Sequence, residues 1–375
     1  MSVKVALLCP GLGRSRRGYE RFAAELYEAV RDSADITLYR GSSDDGDSGD
    51  TIGGLSRDGL TARVLGSVSH DRFYWEAVSF AHLAWRRIRS FDVVHYSEPP
   101  LNLAFARIER GSRGPRRLFS HALNMDAQHT LRCHHIHQTS PVAFAAAQDL
   151  GVPADRMTLL PYGVDALRLT QRHEQTPHET RQKYGLPYNS PVVICVAAIN
   201  RVHKRIDHLV AEVATLESRP HLLLCGALED ETLLADARRT LGESNVTHLY
   251  VSQDEILDLY GAADLCVLPS LIEGFGLALV EAQLSGLPVI AHDSDHFRWL
   301  LGEGARLCVD MKAPGALAQQ IRITLGNLDA EHALSVESRA AQAERYDWPR
   351  LIPSYVAMYE KAVSHSNQLI ESLVS

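Results

Sequence analysis

The stretch LPSLIEGFGLALVEAQLSGLPVIAHD, residues 268–293, decides how this chain is read. Glu273 and Glu281 stand seven residues apart, and Gly274 and Gly276 follow the first of them. The second lies in an apolar helical pattern that stops at Gly286, before a new strand at Pro288. With every intervening step helical, the two carboxylates would sit about 12 Å apart along the axis. That separation suits a ligand with a polar group at each end. The glycine-rich entry leaves bare N–H groups at a helix N-terminus, ready for phosphate or sugar oxygens. Two glutamates on one solvated helix face are common. The full string, from strand through glycine turn and helix to strand, is far more specific.

Outward from this stretch, strand-like runs alternate with helical patterns. In the second half they are Val192–Ala198, His221–Cys225, Thr247–Val251, Asp264–Pro269, Val289–Ala291 and Arg306–Val309. The first half repeats the alternation. Strand Val3–Cys9 precedes a helical stripe of Tyr19, Phe22, Ala23, Leu26 and Val30, and the strands Asp92–Tyr96, Arg117–Ser120 and Met157–Leu160 follow. This predicts an α/β protein of two doubly wound domains, binding ligands at the carboxyl ends of its strands. The charged tract Leu167–Ser190 reads as the linker, and the polar tract 41–54 as a mobile surface loop.

Two cations, Arg201 and Lys204, follow the run Val192–Ala198, before a helix with Ile206, Leu209 and Val210 on its inner face. At a strand's carboxyl end they suit a diphosphate whose charge grows as a leaving group departs: arginine as a fork, lysine as a point charge. An exposed basic loop is the other reading. His203 and Arg205 read as solvated neighbours. Gly11 and Gly13, after the first strand, would let backbone approach a phosphate, or simply form a turn. Arg14, Arg16 and Arg17 face either that ligand or solvent.

Composition excludes several classes. The chain has 375 residues, 45% hydrophobic and 22% charged, with a net charge of −8 and no long basic run. Nucleic acid is therefore not an expected partner. No apolar run reaches membrane-spanning length, and the opening MSVKVALLCPGLG reads as a buried strand rather than a signal peptide. Five of the six cysteines lie in or beside apolar strand runs, as buried reduced thiols in a cytoplasmic protein do.

The stretch 268–293 resembles the E-x7-E signature of retaining glycosyltransferases, family 4, of GT-B fold. The resemblance extends to RGYERFAAEL after the first strand and to LLPYGVD, residues 159–165, where Tyr162 replaces the usual Asn. It implies two Rossmann-like domains facing a cleft: residues 1–170 on the acceptor side, residues 171–352 on the nucleotide-sugar side, and a C-terminal helix, 353–375, crossing back to the first. The implied activity moves a sugar from a nucleoside-diphosphate sugar to an acceptor hydroxyl, with retention. The implied acceptor is a small molecule, a saccharide or a lipid-linked group, and no cofactor or protein-held metal is needed. On this pattern Glu281 holds the ribose hydroxyls, and Glu273 sits by the transferring sugar. Gly274, Phe275, Gly276 and Leu277 meet sugar or phosphate, and the base lies against Val251–Ser252. Lys204 and Arg201 stabilise the leaving diphosphate, and His121 reaches a donor hydroxyl from the first domain. One departure stands out: the family's Gly-Arg after the strand is here Ala198-Ile199.

Other enzyme readings are a GT-B sugar phosphorylase or a nucleotide-sugar epimerase. A catalytically inactive nucleotide-binding protein is a reading of a different class. The histidines His134, His135 and His137 invite a metal, but no carboxylate completes a set. Asp293-Ser294-Asp295 resembles a metal-holding D-x-D in an unsuitable place. The aromatic and basic residues between Phe73 and Arg89 read as a core helix with a cationic last turn, rather than a membrane face.

Overall fold

A computed structural model of the chain describes residues 3–14, 18–42, 49–57, 59–68, 72–109, 114–121, 133–171 and 176–364, with the side chains of His121 and Gln171 excluded. The chain divides into two units, Met1–Gly163 with Trp348–Ser375, and Val164–Asp347. The sequence put the divide at 170 and the return at 353.

The first unit holds a parallel sheet of β1 (Lys4–Cys9), β2 (Asp35–Arg40), β3 (Asp50–Thr51), β4 (Val93–Tyr96), β5 (Arg116–His121), β6 (His135–Gln138) and β7 (Met157–Leu159), in the order β3-β2-β1-β4-β5-β6-β7. Strand β1 reads KVALLC, and its last five residues are buried, the near-continuous apolar run of a strand covered on both faces. Phe80, Ala84, Tyr96, Phe105 and Ile136 belong to the core on one side of this sheet. The polar tract 41–54 is not wholly a loop. Its Asp50 and Thr51 pair with Tyr39 and Arg40, while residues 43–48 lie outside the described residues.

The helix Trp348–Ser364 belongs to this first unit. Its Tyr359 begins a buried hydrogen-bonded chain: Tyr359 to His95 Nδ1 at 3.1 Å, His95 Nε2 to Ser120 at 2.5 Å, Ser120 to His137 Nδ1 at 2.6 Å, and His137 Nε2 to the Leu160 carbonyl at 2.6 Å. A carbonyl only accepts, so His137 carries its proton on Nε2 and every donor upstream is fixed in turn. Burial, and for His95 also the neighbouring His137, holds both rings well below the usual histidine range, His137 at about 4. The histidine run is thus core stitching, and no metal-holding group of His, Cys, Asp or Glu occurs among the described residues.

The second unit's parallel sheet comprises β8 (Val192–Val196), β9 (His221–Cys225), β10 (Val246–Leu249), β11 (Leu265–Val267) and β12 (Val289–Ile290), in the order β10-β9-β8-β11-β12. Chain order reverses between β8 and β11, the topological switch point where open α/β sheets bind ligands. Two readings need correction here. The expected linker 167–190 forms two helices, Ala166–Gln171 and Pro177–Tyr184. The second is closed at its start by a Thr176/Glu179 capping box and at its end by Gly185 at φ 66°. The expected strand Arg306–Val309 is mostly a 3₁₀ turn, Gly302–Leu307, and Val309 makes a single bridge to His292.

Candidate functional site in the second unit

The loops after β8 and β11, neighbours at the switch point, carry the central pair. Lys204 Nζ lies 2.6 and 2.8 Å from the two Glu273 oxygens. Neither side chain is fully exposed, at 25% for Lys204 and 11% for Glu273, so the pair is only partly screened by solvent. The loop that presents Lys204 is shaped by Asn200. Its Oδ1 accepts from the amides of His203 and Lys204 at 3.0 and 2.9 Å, and its Nδ2 donates to Glu229 at 2.9 Å. Arg205 follows at φ 50°, the one non-glycine residue with positive φ among the described residues.

Arg205 is not a solvated neighbour. Its guanidinium donates to the carbonyls of Pro269 at 3.3 Å and Met311 at 3.2 Å, tying the β8 loop to the β11 loop. Arg201, expected at a diphosphate, is instead held by Asp230 at 2.9 Å and Asp236 at 2.7 Å, with Thr232 at 3.3 Å. Those hydrogen bonds, Asp236 first, raise its already high pKa. The structure therefore brings Lys204 and Glu273 together and commits Arg201 to two carboxylates.

The helix after Glu273 runs Leu277–Leu284, so only the steps from Leu277 to Glu281 are helical and the 12 Å spacing does not apply. Gly276 is its N-cap at φ 103°, and a Cβ there would meet Leu300 Cδ2 at 2.9 Å. Phe275 buries its ring edge-on to Trp299 and Tyr346, at 6.3 and 5.8 Å between centroids. The loop Glu273–Gly276 is thereby anchored while Gly274 stays partly exposed.

Glu281 is 1% exposed, with Tyr260 Oη at 3.3 Å and Gln253 Nε2 at 3.5 Å from its oxygens. Gln253 opens the helix that follows Val251 and Ser252, so Glu281 and that turn are neighbours. Ser252 is committed to a capping box. Its amide donates to Glu255 at 3.0 Å and its Oγ at 2.9 Å. The Ser252 amide and hydroxyl, with Tyr184, depress the Glu255 carboxyl to about 2. The Ser252 N–H is thus used internally.

The first-unit residues answer mainly to their own loop. A Cβ on Gly11 would meet Glu20 Oε1 at 2.2 Å and Arg57 at 2.8 Å; Gly13 turns at φ 78° against the Ser42 carbonyl. Arg14 donates to the carbonyls of Gly41, Leu55 and Gly54 at 2.7, 2.8 and 3.1 Å, so its guanidinium is held by neighbouring loops; Arg16 and Arg17 lie outside the described residues. His121 closes β5 opposite Gln138; its side chain also lies outside the described residues. Tyr162, where the family has Asn, stacks on Phe22 at 3.7 Å. Asp293 is held in a fork by Arg298 at 2.6 and 2.7 Å.

Asn200, Arg205 and His296 were not singled out in the sequence for the site. His296 Nε2 lies 2.9 Å from the Phe275 carbonyl, and nothing in the 268–293 string points to it.

Residues 177–341 match the family described as Glycosyl transferases group 1. Over 54% of its length the chain is 28% identical to the D-inositol 3-phosphate glycosyltransferase of Corynebacterium urealyticum, covering 51% of that protein. It is 29% identical over 58% of its length to the MMP alpha-(1->4)-mannosyltransferase of Mycolicibacterium hassiacum, again covering 51%. The chain spans about half the length of these curated relatives. The sucrose-phosphate synthase structure from Thermosynechococcus elongatus superposes with a TM-score of 0.77 at 20% identity, covering 97% of this chain and 100% of that one. Anabaena Alr3699/HepE in complex with UDP gives 0.75 at 16% identity, covering 96% and 100%. The fold is GT-B.

Proposed function

We propose, from the match of residues 177–341 to the group 1 glycosyltransferases, that this protein is a retaining, metal-independent family 4 glycosyltransferase. It moves a sugar from a nucleoside-diphosphate donor to the hydroxyl of a small-molecule, saccharide or lipid-linked acceptor, in the cytoplasm. The observation that carries this reading is the Lys204–Glu273 pair at the switch point between β8 and β11.

At rest each charge is satisfied by the other. An incoming diphosphate offers Lys204 a second anion, and the amides at the N-terminus of Leu277–Leu284 add further donors. Lys204 then stabilises the charge that develops as the sugar leaves. Glu273 is released to accept from a sugar hydroxyl. Glu281, a buried carboxylate beside Tyr260 and Gln253, suits the paired hydroxyls of a ribose, and the backbone before Ser252 suits the base. With Arg201 held by Asp230 and Asp236, Lys204 carries the larger share of the phosphate charge. His121 remains the proposed first-unit contact to the donor sugar.

The test is a panel of nucleotide-sugars with candidate acceptors, in excess chelator, followed by mass spectrometry and anomeric analysis of the product. Transfer with retained anomeric configuration is expected. Product formed only with inorganic phosphate would indicate a phosphorylase, and an epimerised donor without acceptor would indicate an epimerase. No turnover despite nucleotide binding would indicate an inactive binding protein.

A further inference from the structure

Resting on the donor reading above, we propose that His296 is a positioning residue of the donor site, which turns the Gly276 amide toward the diphosphate by holding the Phe275 carbonyl. His296 Nε2 lies 2.9 Å from that carbonyl oxygen. A carbonyl only accepts, so the ring proton sits on Nε2. Burial holds the ring below the usual histidine range, which keeps it in this neutral donor form.

The peptide between Phe275 and Gly276 is trans and planar, so the Gly276 N–H points away from the Phe275 C=O. Fixing the carbonyl on His296 therefore fixes the amide in the opposite direction. Gly276 is the N-cap of Leu277–Leu284, where amides lack intrahelical acceptors. His296 lies on the helix Asp295–Leu301, whose Leu300 limits the space at Gly276 and whose Trp299 meets the Phe275 ring edge-on. The same short helix thus sets both the ring and the carbonyl of Phe275. His296 touches no substrate in this scheme; it acts through the loop.

The experiment is calorimetry with ADP, GDP and UDP on the wild-type chain, carrying forward the tightest binder. H296F and H296A remove the donor, and H296Q returns an N–H at the same reach. Loss of one neutral hydrogen bond predicts about 3- to 10-fold weaker diphosphate binding for H296F and H296A. H296Q should recover to within about twofold, a rescue that a purely packing role would not produce. Unchanged affinity in a folded H296A, or H296Q as weak as H296A, overturns the inference while leaving the donor reading intact. Failure of the wild type to bind any of the three overturns the donor reading itself, and the inference with it.

Discussion

Lys204 and Glu273 neutralise each other at 2.6 Å, which makes the effect of removing either one asymmetric. Lys204→Ala leaves the growing diphosphate charge with the amides and the already paired Arg201, and leaves Glu273 without its lysine partner. Turnover should fall on the order of 10²–10³-fold with the chain still folded, as measured by steady-state kinetics beside circular dichroism. A near-normal rate would remove Lys204 from the site. The two glutamates separate by burial and surroundings: Glu281 is 1% exposed beside Gln253, whereas Glu273 faces Lys204 in a partly exposed loop. Glu281→Ala should weaken binding of the free nucleoside diphosphate. Glu273→Ala should cut turnover with that affinity nearly unchanged. Calorimetry on both variants decides, and equal loss in both would mean shared or reversed roles.

Among the elements, the turn into Leu277–Leu284 is the most constrained. Gly276→Ala places a side chain at φ 103° and within 2.9 Å of buried Leu300. Left-handed backbone alone costs about 1–2 kcal/mol for a non-glycine residue. Gly185→Ala supplies the control, because φ is 66° there and no atom lies within 4 Å of the added Cβ. Both variants should lose stability in denaturant melts. Only Gly276→Ala should also lose nucleoside diphosphate affinity; equal affinity in both would detach this turn from the ligand. This turn was legible in the sequence because its glycines and glutamates are contiguous, and so was strand-helix alternation. The carboxylate partners of Arg201 were not legible because Asp230 and Asp236 arrive from the next βα unit, 29 and 35 residues along. Arg205 was misread as solvated because its partner is more distant still, a carbonyl 106 residues away. His296 was invisible because a side-chain bond to a backbone carbonyl leaves no pattern in spacing. The tract 167–190 hid its helices in a polar composition, although Thr176, Glu179 and Gly185 were readable as caps.

At the scale of the whole molecule, groups buried in the first unit make stability depend on pH. His95, His137 and His134 are all held low chiefly by burial, His137 at about 4 and His134 at about 3. In the unfolded chain they titrate near 6.5. As pH falls below about 6.5, the unfolded chain takes up protons that the folded chain refuses, and stability falls by about 1.4 kcal/mol per pH unit for each histidine. Glu98, at the start of the helix Pro99–Ile108, behaves oppositely. Burial first, then Glu20, raise it to about 8, against the pull of nearby Arg57. The folded chain holds its proton where the unfolded chain, with a carboxyl near 4.3, has lost it. That contribution is complete below about 4.3 and is lost as pH rises toward 8. Glu109 is likewise raised by burial, and His208, His221 and His296 are likewise lowered by it. The lowered histidines outnumber the raised glutamates between roughly 4.5 and 6.5, so the histidines win, and above 6.5 Glu98 acts with the histidines silent. Stability should therefore peak near pH 6.5 and decline gently toward pH 8. Denaturant midpoints of the full chain from pH 4.5 to 8.5 check this, and Glu98→Gln, which mimics the protonated acid, should flatten the alkaline limb and steepen the acid limb. An unchanged decline between pH 6.5 and 8 in Glu98→Gln would place the responsible group elsewhere.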